Sequence, residues 1–194
     1  MKERTAKVNR KTKETDVTVE LDLGGVGKYQ IDTGVGFLDH LLTHLSKHSK
    51  IDLVVCAKGD LKTDAHHTAE DIAICLGEAL GQALGNKRGI ARYGHSSVPM
   101  EDSLANVAVD LSGRSSCVYK VEYPTEKIGD FDVECLEETL RSFSSAGRFN
   151  LHISVPYGTN SHHIAEAIFK GLGQALGEAV KITGTDIPST KGIL

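Results

Sequence analysis

The segment HHTAEDIAICLGEALG at residues 66–81 recurs as HHIAEAIFKGLGQALG at residues 162–177. Ten of the sixteen positions are identical at one constant offset of 96, which is close to half of the 194-residue chain. Such self-similarity indicates that the chain consists of two copies of one structural unit. We therefore predict an internal duplication, with residues 1–90 as the first half and 91–194 as the second, joined in one compact body.

Each copy of the repeated segment is predicted to be a helix that follows a strand. Apolar residues recur at positions 69, 72, 76 and 80 and at 165, 168, 172 and 176, which is helical spacing, and Asp64 and Asn160 are the candidate N-cap residues. Strand-like runs (IDLVVCAKG, FNLHISVP) precede these helices, and shorter helices are predicted near residues 36–49 and 131–146. The predicted fold class is α+β, a duplicated β-β-β-α-β-α unit with each sheet covered by helices on one face. Glycines inside the repeated helices indicate close helix–helix or subunit contacts.

The bulk composition is that of a soluble globular protein and excludes several classes of function. The net charge of −4 gives no basic footprint for nucleic acid. No apolar run approaches the roughly 20 residues that span a bilayer, and the charged N-terminus lacks the apolar core of a secretory signal. The four cysteines are scattered without a C-x-x-C motif, as expected of reduced thiols in a cytoplasmic protein.

The doubled motif places metal-binding side chains on one side of each helix. At about 100° per residue, His66, His67 and Glu70 point within one arc, and the second copy repeats this arrangement with His162, His163 and Glu166. Adjacent histidines diverge, so they are placed to ligate two ions or ions facing different subunits. Imidazole and carboxylate ligands without thiolate suit Mn, Fe, Co or Zn. The alternative, two solvent-exposed helix starts, explains one such motif more readily than two.

A second histidine series, His40, His44 and His48, has i, i+4, i+8 spacing on the first short helix. Alone, this pattern is more typical of a polar helix face than of a ligand set. Aligning the two short helices at an offset of 98 places His40 on Glu138. A metal ligand at one position therefore predicts a ligand at the other.

The remaining polar signal is cationic. Arg92, Arg114, Lys170 and Lys191 follow strands, lie beside glycines or lie near the repeated helix, where Arg and Lys can hold a phosphate. Composition alone favours the interpretation that each of these residues is a solvated surface charge. Neither a P-loop nor a G-x-G-x-x-G motif is present.

Taken together, these segments resemble the imidazoleglycerol-phosphate dehydratase family. The resemblance runs nearly from end to end and is carried by RKTKET, DTGVGFLDHLLTHLSKH, GDLKTDAHHTAED, ALGQALGNKRGIARYG, DLSGR, NSHHIAEAIFK and PSTKGIL. It implies a duplicated fold like the second domain of ribosomal protein S5, a homo-oligomer of 24 subunits, and two Mn²⁺ ions per active site between subunits.

The resemblance also implies roles for individual residues. Glu14 is the implied acid/base. The family commonly has a histidine where this chain has Glu138, and we predict that Glu138 replaces it as a ligand, with Glu137 as a possible substitute. The implied metal ligands are His40, His66, His67, Glu70, Glu138, His162, His163 and Glu166. The implied phosphate contacts are Arg92, Arg114, Lys170, Ser189 and Lys191.

The implied activity is conversion of D-erythro-imidazole-glycerol phosphate to imidazole-acetol phosphate and water, a step of histidine biosynthesis, through a metal-bound imidazolate and a diazafulvene. Three alternatives share part of the signal: a dinuclear metallohydrolase such as a phosphatase, an RNA-binding or metal-storage module, and a helical di-iron protein. The acidic charge counts against RNA. A metal-storage protein would not need the Arg and Lys residues that are suited to phosphate. A helical di-iron protein is expected to carry E-x-x-H motifs in a four-helix bundle, whereas strands alternate with helices in this chain.

Overall fold

The first half of the chain folds in the predicted β-β-β-α-β-α order. The computed structural model describes residues 4–194. The elements of the first half are β1 Thr5–Lys11, β2 Thr15–Asp22, β3 Tyr29–Asp32, α1 Gly36–Ser49, β4 Asp52–Gly59 and α2 His66–Leu84. The α+β fold class is confirmed.

The second half repeats this order with one addition. Its elements are β5 Tyr93–Met100, β6 Ser103–Asp110, β7 Ser116–Lys120, β8 Lys127–Ile128, β9 Phe131–Asp132, α3 Glu134–Gly147, β10 Asn150–Tyr157 and α4 Ser161–Ala179. The small β8–β9 hairpin has no counterpart within residues 4–90. Its second strand, β9, occupies residues that we assigned to the start of the short helix, so α3 begins at Glu134 rather than near residue 131.

The two four-stranded sheets have the same topology. Their strand orders are β1-β2-β4-β3 and β5-β6-β10-β7, and in each sheet the last pair in the order is parallel while the others are antiparallel. Alternate residues of β2, such as Val17, Val19 and Leu21, are buried, as expected of a sheet with one face on the core. The helices cover that face.

The four helices pack in pairs that cross between the halves. Helix α1 packs along α4, and α2 packs along α3. Glycines permit the close approach that was predicted from their presence in the helices: a Cβ atom at Gly177 would lie 2.6 Å from the carbonyl oxygen of Ser49, and one at Gly173 would lie 2.9 Å from that of Leu45. Each short helix therefore contacts the repeated helix of the other half.

The two repeated helices begin differently. Asn160 is the N-cap of α4, as predicted, and its side chain accepts hydrogen bonds from the backbone N–H groups of His162 and His163. The N-cap of α2 is Ala65 rather than the predicted Asp64, although the Asp64 carboxylate still accepts from the N–H of His66 at 2.8 Å. Helix α2 therefore begins at His66, one residue later than it would with Asp64 as its N-cap residue.

Two further expectations concern the cysteines and the membrane. Cys56, Cys75, Cys117 and Cys135 are all free thiols. Within residues 4–194, the helices are too short or too polar to cross a bilayer.

Candidate active site

Three predicted ligands converge where α1 meets α4. The Nε2 atoms of His40 and His162 lie 2.9 and 3.1 Å from the same carboxylate oxygen, Oε2 of Glu166. Neighbouring ligands of an octahedral cation held at about 2.1 Å are separated by about 3 Å. The ligand atoms of all three residues lie within 4.8 Å of one another. Their spacing and chemistry therefore fit a divalent cation.

The crossing of the helices creates this group. His40 lies on α1 of the first half, whereas His162 and Glu166 lie one turn apart on α4 of the second half. The group borders a cleft of about 830 Å³ that is also lined by Phe37 and the β8–β9 hairpin. Phe37 packs beside the His162 ring, with 5.1 Å between the ring centroids. His40 and His162 thus face a space large enough for a small molecule.

Two further side chains surround the buried Glu166, which is 6% exposed. The Lys170 Nζ atom lies 2.6 Å from Oε1, and the His44 Nε2 atom lies 3.3 Å from the same oxygen. Burial alone raises the pKa of Glu166, but the hydrogen bonds from Lys170 and His40 outweigh it and lower that pKa to about 2. Burial lowers the pKa of His44 to about 4. Glu166 is therefore an anion and His44 a neutral imidazole near pH 7.

The second histidine of the first motif, His67, lies beside two carboxylates. His67 Nδ1 lies 3.0 Å from Asp60 Oδ2 and 3.9 Å from Glu14 Oε2. The hydrogen bond to Asp60 raises the pKa of His67 and lowers that of Asp60. The predicted acid/base Glu14 is half-exposed and lies at the turn between β1 and β2. It is thus close to a predicted metal ligand.

His163 has a similar neighbour. Its Nδ1 atom donates to Asp102 Oδ1 at 2.5 Å. Hydrogen bonds from His163 and Thr159 hold the pKa of Asp102 well below its usual range. Sequence reasoning missed both Asp60 and Asp102. The signal for Asp60 was its place in the quoted GDLKTDAHH segment, whereas Asp102 is 61 residues from its partner.

The first-half counterpart of the His40 group is not assembled in the same way. His66, Glu70 and Glu138 occupy the equivalent positions on α2 and α3, which also pack together. Among residues 4–194, His40, His162 and Glu166 are the group whose ligand atoms come within 4.8 Å of one another. Glu138 Oε1 lies 3.5 Å from the hydroxyl of Ser142. The neighbouring Glu137, the considered substitute, is paired with Arg141 at 2.6 Å.

The predicted phosphate contacts fall into two places. Lys170 lies at the Glu166 group. Arg114 and Lys191 line a separate cleft of about 640 Å³ together with Lys87 and Arg148. We call these four cations the C-terminal cation cluster. Four positive charges around one cleft are suited to a phosphate.

Arg92 is used to hold the C-terminal segment. Its guanidinium donates two hydrogen bonds to Asp110, at 2.7 and 3.2 Å, and a third to the carbonyl oxygen of Pro188 at 2.9 Å. Ser189 Oγ accepts from the N–H of Lys191 at 3.2 Å. In this chain Arg92 therefore anchors the segment that carries Ser189 and Lys191.

The C-terminal cation cluster and the doubled motif lie at opposite ends of α2. The cleft of the cluster is lined by Gly81 and Gln82 near the helix C-terminus, whereas His66 is the first residue of the helix. Fifteen residues of α-helix separate His66 from Gly81, which is about 22 Å at about 1.5 Å per residue. A single chain does not bring the two groups within reach of one small molecule.

Comparisons with known proteins all point to one family. The family model described as imidazoleglycerol-phosphate dehydratase matches residues 33–176. The imidazoleglycerol-phosphate dehydratase of Desulforudis audaxviator is 53% identical over 192 residues, covering 98% of each chain, and that of Pelotomaculum thermopropionicum is 51% identical over 195 residues, covering 100% of each. The crystal structure of the Staphylococcus aureus enzyme of that name superposes with a TM-score of 0.84 at 36% identity, covering 92% of this chain and 99% of that one.

Proposed function

This chain belongs to the imidazoleglycerol-phosphate dehydratase family, a family of hydro-lyases of histidine biosynthesis, and we propose that its doubled His-His motif makes it a metal-dependent member. The reaction is conversion of imidazole-glycerol phosphate to imidazole-acetol phosphate and water. The observation that carries the proposal is the convergence of His40, His162 and Glu166, whose ligand atoms lie within 4.8 Å of one another beside an open cleft.

The ligands favour a divalent cation such as Mn²⁺. One ion would be held by His40, His162 and Glu166, and a second by the equivalent residues of the other motif, with His67 and His163 completing the ligand set. Imidazole and carboxylate ligands without thiolate are typical of Mn²⁺ and Fe²⁺. When bound, such ions supply Lewis-acid polarisation of the substrate and a template that orients it.

The chemistry explains why such polarisation is needed. The hydrogen on C2 of the glycerol chain is not acidic, because no carbonyl group adjoins it. Loss of that proton and of the C3 hydroxyl releases one water and leaves an enol, which tautomerises to the ketone. Glu14 is the candidate for moving the C2 proton, since its half-exposed carboxylate lies 3.9 Å from His67.

Of the predicted phosphate contacts, Lys170 lies beside Glu166 of the doubled motif, whereas Arg114 and Lys191 line the separate cleft of the C-terminal cation cluster. The separation of about 22 Å along α2 places the C-terminal cation cluster out of reach of the ligands in the same chain. We infer a homo-oligomer in which Arg114 and Lys191 of one subunit serve the ligands of a neighbour. Holding the tail in this way fixes C2 and C3 against the proton-transfer group.

An assay of metal-stripped protein tests the proposal. We expect no turnover of imidazole-glycerol phosphate after chelation, recovery on addition of Mn²⁺, and formation of imidazole-acetol phosphate without free phosphate. Release of free phosphate would instead indicate a metallohydrolase. Tight Mn²⁺ binding without any product would contradict the dehydratase and favour a storage role.

Arg114→Ala is expected to raise the KM for imidazole-glycerol phosphate at least about tenfold, with a smaller change in kcat. The physical reason is loss of one charge-assisted hydrogen bond to phosphate, worth about 1.5–3 kcal/mol. Steady-state kinetics at saturating Mn²⁺ measures the effect. The matched control is Arg141→Ala, which removes an exposed guanidinium already paired with Glu137. An unchanged KM in Arg114→Ala would contradict its role at the phosphate.

A further inference from the structure

We propose that Asp60 and Asp102 are positioning residues, each of which orients the second histidine of one His-His pair towards its ion. The inference rests on the metal centre proposed above. His67 Nδ1 lies 3.0 Å from Asp60 Oδ2, and His163 Nδ1 lies 2.5 Å from Asp102 Oδ1. An ionised carboxylate only accepts hydrogen bonds, so each Nδ1 atom carries the hydrogen. The lone pair of each imidazole is then on Nε2, available to a metal ion.

The two aspartates come from non-equivalent places in the duplicated fold. Asp60 directly follows β4, whereas Asp102 lies in the two-residue turn between β5 and β6. Descent from one ancestral unit therefore does not explain why both histidines meet a carboxylate at Nδ1. In each half, a carboxylate is hydrogen-bonded to Nδ1 of the second histidine, although the two carboxylates come from different positions in the fold. This is expected if that hydrogen bond is needed at the site.

The strand register identifies the true counterpart of Asp102. The pair Thr5↔Asp22 at one end of the β1–β2 ladder corresponds to Tyr93↔Asp110 in the β5–β6 ladder, a constant offset of 88 residues. At that offset, Asp102 corresponds to Glu14. Both carboxylates thus stand at the same turn, each beside the second histidine of its own half.

The two turn carboxylates have diverged in what they contact. Asp102 is hydrogen-bonded to His163, whereas Glu14 stays 3.9 Å from His67 because Asp60 already occupies the Nδ1 atom. Asp60 therefore leaves the Glu14 carboxylate free of a structural bond to the ligand. Of the two equivalent turn carboxylates, Glu14 is therefore available for proton transfer, whereas Asp102 positions His163.

Asp102 has a second task that Asp60 lacks. Its Oδ2 atom accepts hydrogen bonds from the backbone N–H groups of Thr159 and Asn160 and from the Thr159 hydroxyl, so it also holds the loop before α4. At the start of α2, the N–H of His66 instead donates to the carboxylate of Asp64, which precedes the N-cap residue Ala65. A change at Asp60 thus tests the positioning role with little disturbance of a helix start.

The experiment compares Asp60→Asn, Asp102→Asn and the control Asp16→Asn, which removes an exposed carboxylate paired with Lys11. Electron paramagnetic resonance of free Mn²⁺, titrated against metal-stripped protein, gives the number and affinity of the bound ions. We expect each of the first two variants to bind one set of ions about 10–100-fold more weakly, with the other set unchanged. Asp16→Asn should bind as the original protein does.

Thermal melting of the metal-stripped proteins separates positioning from a purely structural role. We expect the melting temperature of metal-free Asp60→Asn to match that of Asp16→Asn, while its Mn²⁺ affinity falls. If both Asp60→Asn and Asp102→Asn bind Mn²⁺ with the original affinity, the inference is overturned while the metal centre stands. If the unaltered protein binds no Mn²⁺, the metal centre itself is wrong. Should Asp102→Asn fail to fold, Asp60→Asn decides the question alone.

Discussion

Glu166→Gln is expected to abolish dehydration and remove one of the two bound ions from each chain. The carboxylate is the common partner of His40 and His162 and is held as an anion by Lys170 at 2.6 Å. Changing residues that merely orient metal ligands costs about 10–100-fold, so loss of a direct ligand should lower kcat by more than about 100-fold. The measurement is metal content together with kcat at saturating substrate.

The matched control for this prediction is Glu178→Gln on the same helix. Glu178 is half-exposed and accepts a hydrogen bond from the backbone N–H of His95, so its carboxylate lies away from the ligands. Metal content and kcat should be unchanged in this variant. Full activity and full metal content in Glu166→Gln would refute the assignment of Glu166 as a ligand.

Gly77→Ala is expected to destabilise the fold by about 2–3 kcal/mol, the cost of overpacking a well-packed interior. A Cβ atom at this position of α2 would lie 2.5 Å from the backbone nitrogen of Gly147 and 2.6 Å from the carbonyl oxygen of Phe143, both on α3. Backbone atoms cannot move aside as a flexible side chain can. The two helices would have to separate, which a lowered midpoint of urea denaturation would report.

Gly81→Ala, one turn further along the same helix, is expected to stabilise the fold rather than destabilise it. Apart from the adjacent residues and the nearby backbone of α2 itself, nothing within residues 4–194 lies within 4 Å of a Cβ atom added at Gly81. Alanine is favoured over glycine in a helix by about 1 kcal/mol, so this variant should be more stable than the original protein. Equal effects of the two substitutions would show that the α2–α3 contact does not depend on Gly77.

The sequence alone determined the fold class and the repeated order of the elements, whereas the roles of the candidate site residues stay predictions. The fold class and the element order could be predicted because both depend on local patterns. Helical and strand periodicities predict which face is buried, and Asn160 caps α4 through bonds to residues two and three positions away. The β8–β9 hairpin was missed because its strands are two residues long and show no periodicity.

The tertiary structure decided which of these residues meet. Periodicity predicts which face of a helix is buried but not which element covers that face. The sequence spacing therefore did not predict that α1 packs on α4 of the other half, or that His40 contacts Glu166, 126 residues away. This packing of α1 on α4 depends on backbone contacts at Gly173 and Gly177, which exist only once both helices are folded. The bond between His163 and Asp102, and the distance between the C-terminal cation cluster and the doubled motif, follow from the same long-range packing.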